Sequence, residues 1–258
     1  MRIINEVKFW IKGGFFRKNK KRWEFHFGRN TIKEKIKNFK RLVQNDGKKL
    51  SKNEKKLAEL KYWKNLAEEL TQNCRTSAQK EEKLLNICYE ITNPRYKKDL
   101  YLEDDSFYGK KVLDVGCGPH GGLIGFKNCE KYGVDHLINE YKKLGYPLDK
   151  HDIKYFQAKS EQMPFSDSFF DIIVCVNALD HVDDLEKTIK EISRILKEGG
   201  RFLAQINFRS ISTATEPIIL DHKKLKRLLL KNNLILIRKI FQYEIAHEKR
   251  YYYECEKK

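Results

Sequence analysis

Two different spacings of apolar residues divide the chain. From Thr31 to about residue 100 apolar side chains recur every three or four positions, which is the spacing of amphipathic helices. Three helices are predicted there, beginning at Thr31, beginning at Ser51 and covering residues 77–91, whereas residues 1–30 show no regular pattern. After Gly109 the apolar residues form short, nearly continuous runs, as expected for strands that are buried on both faces.

Capping residues support the helix predictions. Thr31 with Glu34, and Ser51 with Glu54, have the spacing of a capping box at a helix start. Pro94 lies shortly beyond the third helix, which we expect to end before it.

The second part of the chain alternates strands with helices. Five strands are predicted in the runs KVLDVG, KYGVDHL, IKYFQA, FFDIIVCVN and GGRFLAQINF. An amphipathic helix within residues 183–200 separates the last two, and Gly199 and Gly200 are expected to end it. After a helix over residues 221–232, the runs LILIRKIFQYE and KRYYYECE predict an antiparallel hairpin at a sheet edge. Such alternation predicts an α/β fold with a mostly parallel sheet.

Charge is distributed unevenly along the chain. Residues 1–100 contain 27 Lys and Arg against 12 Asp and Glu, whereas the remaining residues contain 26 against 24. We therefore predict a basic, mostly helical N-terminal extension or cap over residues 1–105 and a second domain over residues 106–258. The basic segment is either a solvated lysine-rich face or, chiefly through residues 1–50, a contact surface for nucleic acid or an anionic membrane.

The six cysteines and the hydropathy of the chain exclude some classes of protein. The cysteines form no C-x-x-C pair, which argues against a structural zinc site and a disulfide framework, and we predict no metal ion. No apolar run approaches the roughly 20 residues that span a bilayer, and the N-terminus lacks the layout of a signal peptide. We expect a protein of the cytoplasm without a transmembrane segment.

A glycine-rich loop follows the first strand of the second part, in the stretch KVLDVGCGPHGGL. Its glycines form G-x-G-x-x-G, but no Lys-Ser or Lys-Thr pair follows, so the loop is not a P-loop. Pro119 supplies no N–H to a phosphate, and the carboxylate of Asp114 would repel a pyrophosphate. A ligand with an amino or cationic group fits Asp114 better.

Asp135 ends the second strand, 19 positions after Gly116. A carboxylate at the carboxyl end of a parallel strand faces the crevice and can accept both hydroxyls of a ribose. The alternative is a helix cap or a surface aspartate. Loop and carboxylate together predict a nucleoside-type cofactor.

Four blocks in order, VLDVGCGPHGG, YGVDHL, AKSEQMPFSDSFFDIIVCVNALDHVDD and EISRILKEGGRFLAQ, resemble the class I S-adenosylmethionine-dependent methyltransferases. The resemblance covers residues 109–210 and is to the branch that modifies small molecules and glycans, with a methyltransferase type 11-like domain. It implies a Rossmann-like, doubly wound, mostly parallel seven-stranded sheet with an antiparallel edge hairpin, and S-adenosylmethionine as cofactor.

The resemblance also implies roles for individual residues. Asp114, Gly116 and Gly118 line the methionine end of the cofactor, and Asp135 takes the ribose hydroxyls. The remaining predicted cofactor contacts are His136 or Leu137 beside the adenine, Ser160 and Glu161 along its ring, and Asn177 near the methyl donor. Lys159 stands where many relatives have aspartate, which puts the adenine contact in doubt.

Two residues after the fourth strand are candidates for the chemistry. His181 is the first candidate for a general base and Asp180 the second, since both should edge the cleft where the acceptor arrives. The alternative is that His181 only packs or caps a helix, and His120 and His222 are lesser candidates. We predict methyl transfer to a small molecule or sugar, with oxygen as the target atom. The alternatives are methylation of nucleic acid or protein held by the basic segment, and a scaffold that binds the cofactor without catalysis.

Overall fold

The computed structural model describes residues 15–19, 22–26, 51–210, 212, 215–245 and 248–258. Contacts divide the chain into two compact units, one of Met1–Glu69 with Thr213–Thr215 and one of Leu70–Ser212 with Glu216–Lys258. The helix predicted from Thr31 lies outside the described residues. The domain boundary between residues 105 and 106 stays a prediction.

The first unit contains a hairpin that the sequence analysis missed. Strands β1 (Phe15–Asn19) and β2 (Arg22–His26) pair antiparallel, so residues 1–30 contain regular structure.

Helix α1 (Lys52–Thr71) begins at the predicted capping box. The Ser51 N–H donates to the Glu54 carboxylate at 2.8 Å, and the Glu54 N–H donates to the Ser51 hydroxyl at 3.3 Å. These two bonds satisfy N–H groups that the first helical turn leaves without partners.

The third predicted helix is longer than expected. Helix α2 (Ser77–Ile87) continues through a π-helical turn (Cys88–Thr92) into helix α3 (Asn93–Leu100). The prediction that the helix ends before Pro94 is therefore wrong. In the wide turn the Asn93 N–H donates to the carbonyl of Cys88, five residues back, and this widening accommodates a proline that cannot donate.

The second unit is built on a seven-stranded sheet, which confirms the predicted fold class. The strands are β3 (Lys111–Val115), β4 (Glu130–Asp135), β5 (Lys154–Gln157), β6 (Phe170–Val176), β7 (Leu196–Arg209), β8 (Leu234–Ile245) and β9 (Glu248–Lys257). Their order is β5-β4-β3-β6-β7-β9-β8. The first five are parallel, and β9 pairs antiparallel with both β7 and β8, forming the predicted edge hairpin.

Three further helices belong to this unit: α4 (Ile138–Lys143), α5 (Leu185–Ile195) and α6 (His222–Lys231), and a short 3-10 helix covers Leu148–Lys150. The prediction that Gly199 and Gly200 end α5 is wrong. Leu196 is already extended (φ −81°, ψ 137°), fully buried and paired with Phe170, so the backbone leaves the helix as it enters the sheet.

The core forms two clusters. One packs α5 and α6 against β6, β7 and β9 and includes Ile189, Ile192 and Leu229. The other includes Tyr96 and Leu100 of α3 together with Val112 and Val174 of the sheet. Burial of apolar area at roughly 25 cal/mol per Å² is the main force that holds both layers. Helix α3 therefore covers the strands whose carboxyl ends form the site described next.

Candidate active site

The glycine loop passes very close to the segment that follows β6. Gly116 has φ +69°, and a Cβ on it would lie 2.5 Å from the Cβ of Ala178. Both the left-handed backbone and the close approach require glycine at this position. The Gly116 N–H donates to the carbonyl of Val134 at 2.9 Å, so the loop is anchored on β4.

Asp114 lies at the bottom of the loop and is buried, with 1% exposure. Neither carboxylate oxygen has a hydrogen-bond partner of normal geometry within the described part of the chain. Burial raises the pKa of Asp114 to about 8, the Tyr96 hydroxyl lowers the pKa, and the charge of Asp135 raises it. An unpaired buried carboxylate is a ready partner for an amino group.

Tyr96 of α3 closes the loop from the other side, and the sequence analysis did not identify it. The ring is buried, and a Cβ on Gly122 would overlap it. Burial and the charge of Asp114 hold the pKa of Tyr96 well above its usual value, so the hydroxyl is protonated and available as a donor. Helix α3 is thus part of the site.

Asp135 lies at the end of β4, as predicted, and ties the glycine loop to the next helix. Its Oδ2 accepts from the Gly118 N–H at 3.1 Å, and its Oδ1 accepts from the Leu137 N–H at 2.9 Å and the Tyr141 hydroxyl at 3.3 Å. His136 Nδ1 lies 3.5 Å from Oδ1. The carboxylate of Asp135 therefore fixes the glycine loop against the start of α4.

Ser160 and Glu161 hold the start of α5. Glu161 Oε1 accepts from the N–H groups of Asp183 and Asp184 at 2.7 and 3.0 Å. Ser160 Oγ lies 3.3 Å from the Thr188 hydroxyl, and 3.4 Å from Glu161 Oε2. The segment predicted to border the adenine therefore also fixes the loop after β6.

Asn177 ends β6 with φ +54° and belongs to a polar chain across the sheet. Its N–H donates to the carbonyl of Gln205 at 3.0 Å, and its side-chain oxygen accepts from Asn207. Arg250 Nε donates to Asn207 Oδ1 at 2.7 Å. This chain fixes the end of β6 against β7 and β9.

Asp180 and His181 lie together after β6, in a cluster that the sequence analysis named only in part. Arg209 donates to Asp180 Oδ2 at 2.8 Å and contacts Glu216 Oε2 at 2.5 Å. His181 Nε2 lies 3.5 Å from Glu216 Oε1 and 3.9 Å from Asp180 Oδ1. Burial raises the pKa of Asp180, and the nearby His181 and Arg209 lower it.

Arg209 is the centre of this cluster. Burial acts to lower its pKa, but the carboxylates of Asp180, Glu216 and Glu248 outweigh that effect and raise it. Ligand atoms of Asp180, His181 and Glu216 lie within 4.8 Å of one another, which is close enough for a metal ion. The guanidinium already occupies carboxylate oxygens of the cluster, so a cation does not fit well, and the absence of a metal ion stays a prediction.

The two lesser histidine candidates lie outside this cluster. His120 is buried beside Tyr146, with ring centroids 5.4 Å apart, and burial lowers its pKa to about 3. His222 stacks on Phe208 with ring centroids 3.7 Å apart, and its Nδ1 lies 2.5 Å from the Tyr253 hydroxyl in a hydrogen bond.

These residues fit a zwitterionic nucleoside cofactor. The unpaired carboxylate of Asp114 matches an amino group, the loop at Gly116 leaves no side chain in the way, and Asp135 lies one strand further along the same edge. Comparison with known proteins agrees. Residues 113–204 match the family described as "Methyltransferase domain".

Curated relatives match roughly a hundred residues of the chain. YcgJ, an uncharacterized methyltransferase of Bacillus subtilis, is 33% identical over 98 residues (36% of this chain, 39% of that protein). A sterol 24-C-methyltransferase of Gibberella zeae is 37% identical over 103 residues, which are 36% of this chain and 27% of that protein. A ubiquinone biosynthesis O-methyltransferase of Idiomarina loihiensis is 34% identical over 115 residues, which are 40% of this chain and 45% of that protein. The chain thus spans less than half the length of each of these relatives.

Solved structures share the fold. The YcgJ crystal structure matches with a TM-score of 0.51 at 17% identity, covering 65% of this chain and 98% of that chain. Geranyl diphosphate C-methyltransferase of Streptomyces coelicolor matches with a TM-score of 0.53 at 13% identity, covering 69% of this chain and 84% of that chain. That structure was solved with Mg²⁺, geranyl diphosphate and S-adenosyl-L-homocysteine.

The match of residues 113–204 to the methyltransferase domain family and the shared fold of the solved structures support the resemblance to class I S-adenosylmethionine-dependent methyltransferases and the predicted cofactor. Among the helices that the structure describes, none is long and apolar enough to cross a membrane.

Proposed function

We propose that the protein transfers a methyl group from S-adenosylmethionine to a hydroxyl oxygen of a small molecule or glycan. The observation that carries the proposal is the buried carboxylate of Asp114, which lies below the glycine loop and has no hydrogen bond of normal geometry among the described residues. The names of two relatives, a sterol methyltransferase and a ubiquinone biosynthesis O-methyltransferase, support a small acceptor. Since these names include both carbon and oxygen methylation, the choice of oxygen rests on His181.

S-adenosylmethionine, when bound, supplies an activated methyl group, and the protein aligns the acceptor and removes its proton. We assign the removal of the acceptor's proton to His181, whose side chain is 31% exposed and therefore accessible to an acceptor. The carboxylates of Glu216 and Asp180 lie within 4 Å of Nε2 and stabilise the imidazolium that forms when the ring takes the proton.

Asp180 is the weaker candidate for the base. Its side chain is 3% exposed and its Oδ2 accepts from Arg209, so it is both shielded from an acceptor and already paired. We propose that Asp180 positions and stabilises His181.

The cofactor contacts follow the resemblance. We propose that Asp114, Gly116 and Gly118 hold the methionine end and that Asp135 binds the ribose hydroxyls. The other proposed contacts are His136, Ser160 and Glu161 around the adenine and Asn177 beside the methyl donor. For Glu161 only Oε2 remains for this role, since two backbone N–H groups occupy Oε1.

Calorimetric titration with S-adenosylmethionine, S-adenosylhomocysteine and NAD tests the cofactor. We expect the first two to bind, NAD to give no heat, and Asp135→Ala to weaken binding at least tenfold; Asp149→Ala, an exposed aspartate, is the matched control. Absence of binding to folded wild-type protein would refute the proposal. For the base, His181→Gln should lower kcat by a factor of about 10² or more without changing cofactor affinity.

The alternative is methylation of nucleic acid or protein, favoured by the excess of 27 basic over 12 acidic residues in residues 1–100. This alternative predicts that the logarithm of the substrate association constant falls steeply and linearly with the logarithm of the salt concentration. A small neutral acceptor would bind with little dependence on salt. The same basic segment is our basis for proposing peripheral contact with an anionic surface.

A further inference from the structure

Helix α6 carries an exposed cluster of positive charges. Its sequence contains no Asp or Glu, and all of its Lys and Arg residues are exposed: Lys223, Lys224, Lys226, Arg227 and Lys231. Residues 101–258 contain 26 Lys and Arg against 24 Asp and Glu, so without α6 the same stretch has 21 against 24. The helix is therefore a basic surface within a stretch that is otherwise slightly acidic.

Most of these cations have no carboxylate partner within the part of the chain that the structure describes. Lys231 Nζ lies 2.5 Å from Glu186 Oε1 of α5, but the other four side chains form no ion pair with a described residue. Their charge is not neutralised by the fold and can act on a partner outside it.

The positions of the cations do not favour the helix itself. Lys223 and Lys224 lie in its first turn, where the helix dipole disfavours positive charge. Arg227 is four positions from both Lys223 and Lys231, and like charges at this spacing repel one another. Asp221 caps the helix by accepting from the Lys224 N–H at 2.8 Å, which requires no lysine side chain. The stability of α6 therefore does not account for its charge.

An exposed leucine lies among the cations. At 100° per residue the exposed side of α6 covers an arc of roughly 160°, and Leu230 lies inside it, next to Lys226 and Arg227. Leu230 is 58% exposed, whereas Leu225 and Leu229 of the same helix are buried in the core. The surface thus combines positive charge with an apolar side chain that the core does not use.

The basic surface continues onto the edge hairpin of β8 and β9. The ring centroids of His222, the first residue of α6, and Tyr251 are 4.6 Å apart, and Lys239 Nζ lies 4.8 Å from the Tyr251 centroid. Phe241, which is 52% exposed, also contacts Tyr251, with centroids 5.3 Å apart. Burial and the charges of Lys239 and Lys249 lower the pKa of His222, so the positive field extends from α6 to both strands.

We propose that this basic face, formed by the five cations of α6 with Leu230, Lys239 and Phe241, docks the protein on anionic lipid membranes. Negatively charged headgroups attract Lys and Arg side chains, and exposed Leu and Phe side chains enter the boundary between headgroups and acyl chains. Nucleic acid would also attract the cations, but Leu230 offers it neither a hydrogen bond nor a stacking ring. The inference goes beyond the proposed function and does not depend on it.

The basic face begins close to the proposed acceptor site. Phe208 stacks on His222 at the start of α6, and the next residue along the chain, Arg209, pairs with Asp180 and Glu216. A docked protein therefore holds the acceptor cluster on the side of the sheet edge that is close to the bilayer.

Cosedimentation of the full chain with vesicles tests the role of the charges. Vesicles of phosphatidylcholine with about 30% phosphatidylserine are compared with vesicles of phosphatidylcholine alone. The test variant is the triple substitution Lys223→Gln, Lys226→Gln and Arg227→Gln, and its matched control removes the same charge at exposed positions elsewhere, with Lys110→Gln, Lys142→Gln and Lys143→Gln. Since glutamine is a good helix former, we expect every variant to keep the circular dichroism of wild type.

We expect wild type to bind the anionic vesicles and not the neutral ones, with an affinity that falls as salt is added. The triple variant should bind on the order of 100-fold more weakly, whereas its charge control should stay close to wild type. Leu230→Gln should weaken binding about fivefold, and Leu57→Gln, at a leucine of α1 that is 65% exposed, should leave it unchanged.

Three results would overturn the inference: no binding of wild type to anionic vesicles, equal binding to neutral vesicles, or equal losses in the triple variant and its charge control. Unchanged vesicle binding by Leu230→Gln would overturn the apolar contact. Fluorescence anisotropy with a single-stranded RNA separates the other class of partner. If the triple variant loses RNA binding but keeps vesicle binding, the basic face is a nucleic-acid surface and the membrane assignment is wrong.

Discussion

Replacing Asp114 with asparagine removes the ionisable group beneath the glycine loop while keeping its size. The carboxyl of Asp114 has a pKa of about 8 in the folded protein, against 3.8 for an ordinary aspartate. Between these values the folded protein binds a proton that the unfolded chain has released, so the free energy of unfolding falls as pH rises. The stabilising contribution of the protonated form is complete below pH 3.8 and lost by about pH 8.

The size of the effect follows from the difference in pKa. Each unit corresponds to about 1.36 kcal/mol, so at pH 7, roughly three units above the unfolded pKa, the penalty is on the order of 4 kcal/mol. Asparagine is neutral at every pH and carries no such penalty. We therefore expect Asp114→Asn to be more stable than wild type by about 4 kcal/mol at pH 7 and nearly equal to it at pH 4.

Urea denaturation at pH 4, 7 and 9 measures this difference. Asp149→Asn makes the same change of charge at an exposed position and is the matched control. A difference between Asp114→Asn and wild type that does not grow from pH 4 to pH 7 would contradict the reasoning, because burial would then not disfavour the charged form.

The same substitution should have the opposite effect on ligand binding. An asparagine cannot form the charge-assisted hydrogen bond that a carboxylate offers to an amino group, so S-adenosylhomocysteine should bind at least tenfold more weakly, by calorimetry at pH 8. Unchanged affinity would mean that Asp114 does not contact the cofactor.

Three further substitutions test other parts of the structure. Gly116→Ala, at φ +69° and against Ala178, should destabilise the protein by about 1–3 kcal/mol in urea and weaken S-adenosylhomocysteine binding at least tenfold. Arg209→Met should cost about 3 kcal/mol at pH 7, because it leaves the buried Asp180 unpaired, and the loss should shrink at pH 4 as carboxylates become protonated. Thr76→Ala removes the N-cap bond of α2 and should lower stability by about 1 kcal/mol without changing cofactor affinity.

The order and type of the sheet elements could be predicted because each strand is local in sequence. Apolar runs located β3 to β9, and the capping box at Ser51 located α1. The ends of α5 and α3 could not be predicted from local signals. Burial of Leu196 in the sheet ends α5 before its glycines, and a π-helical turn carries the chain through Pro94.

The glycine loop and Asp135 were identifiable because their chemistry lies within one short motif or at a strand end. Tyr96 and Arg209 were not, since each becomes part of the site only through packing or pairing between distant segments. Arg209 had one available signal: it directly follows the predicted strand GGRFLAQINF, and in the structure it is the last residue of β7. The charge alone could not show which carboxylates it would bind.

The position of α3 over the glycine loop has a consequence for how this type of protein diversifies. Tyr96 and Asp99 lie outside residues 113–204, the span that matches the family, yet Tyr96 packs against Gly122 inside it and Asp99 accepts from Gln205 directly after it. Mutations in α3 can therefore change the packing of the glycine loop while the matched span stays intact. Two proteins with the same cofactor motifs can then differ at this loop because of a helix that a comparison of those motifs does not include.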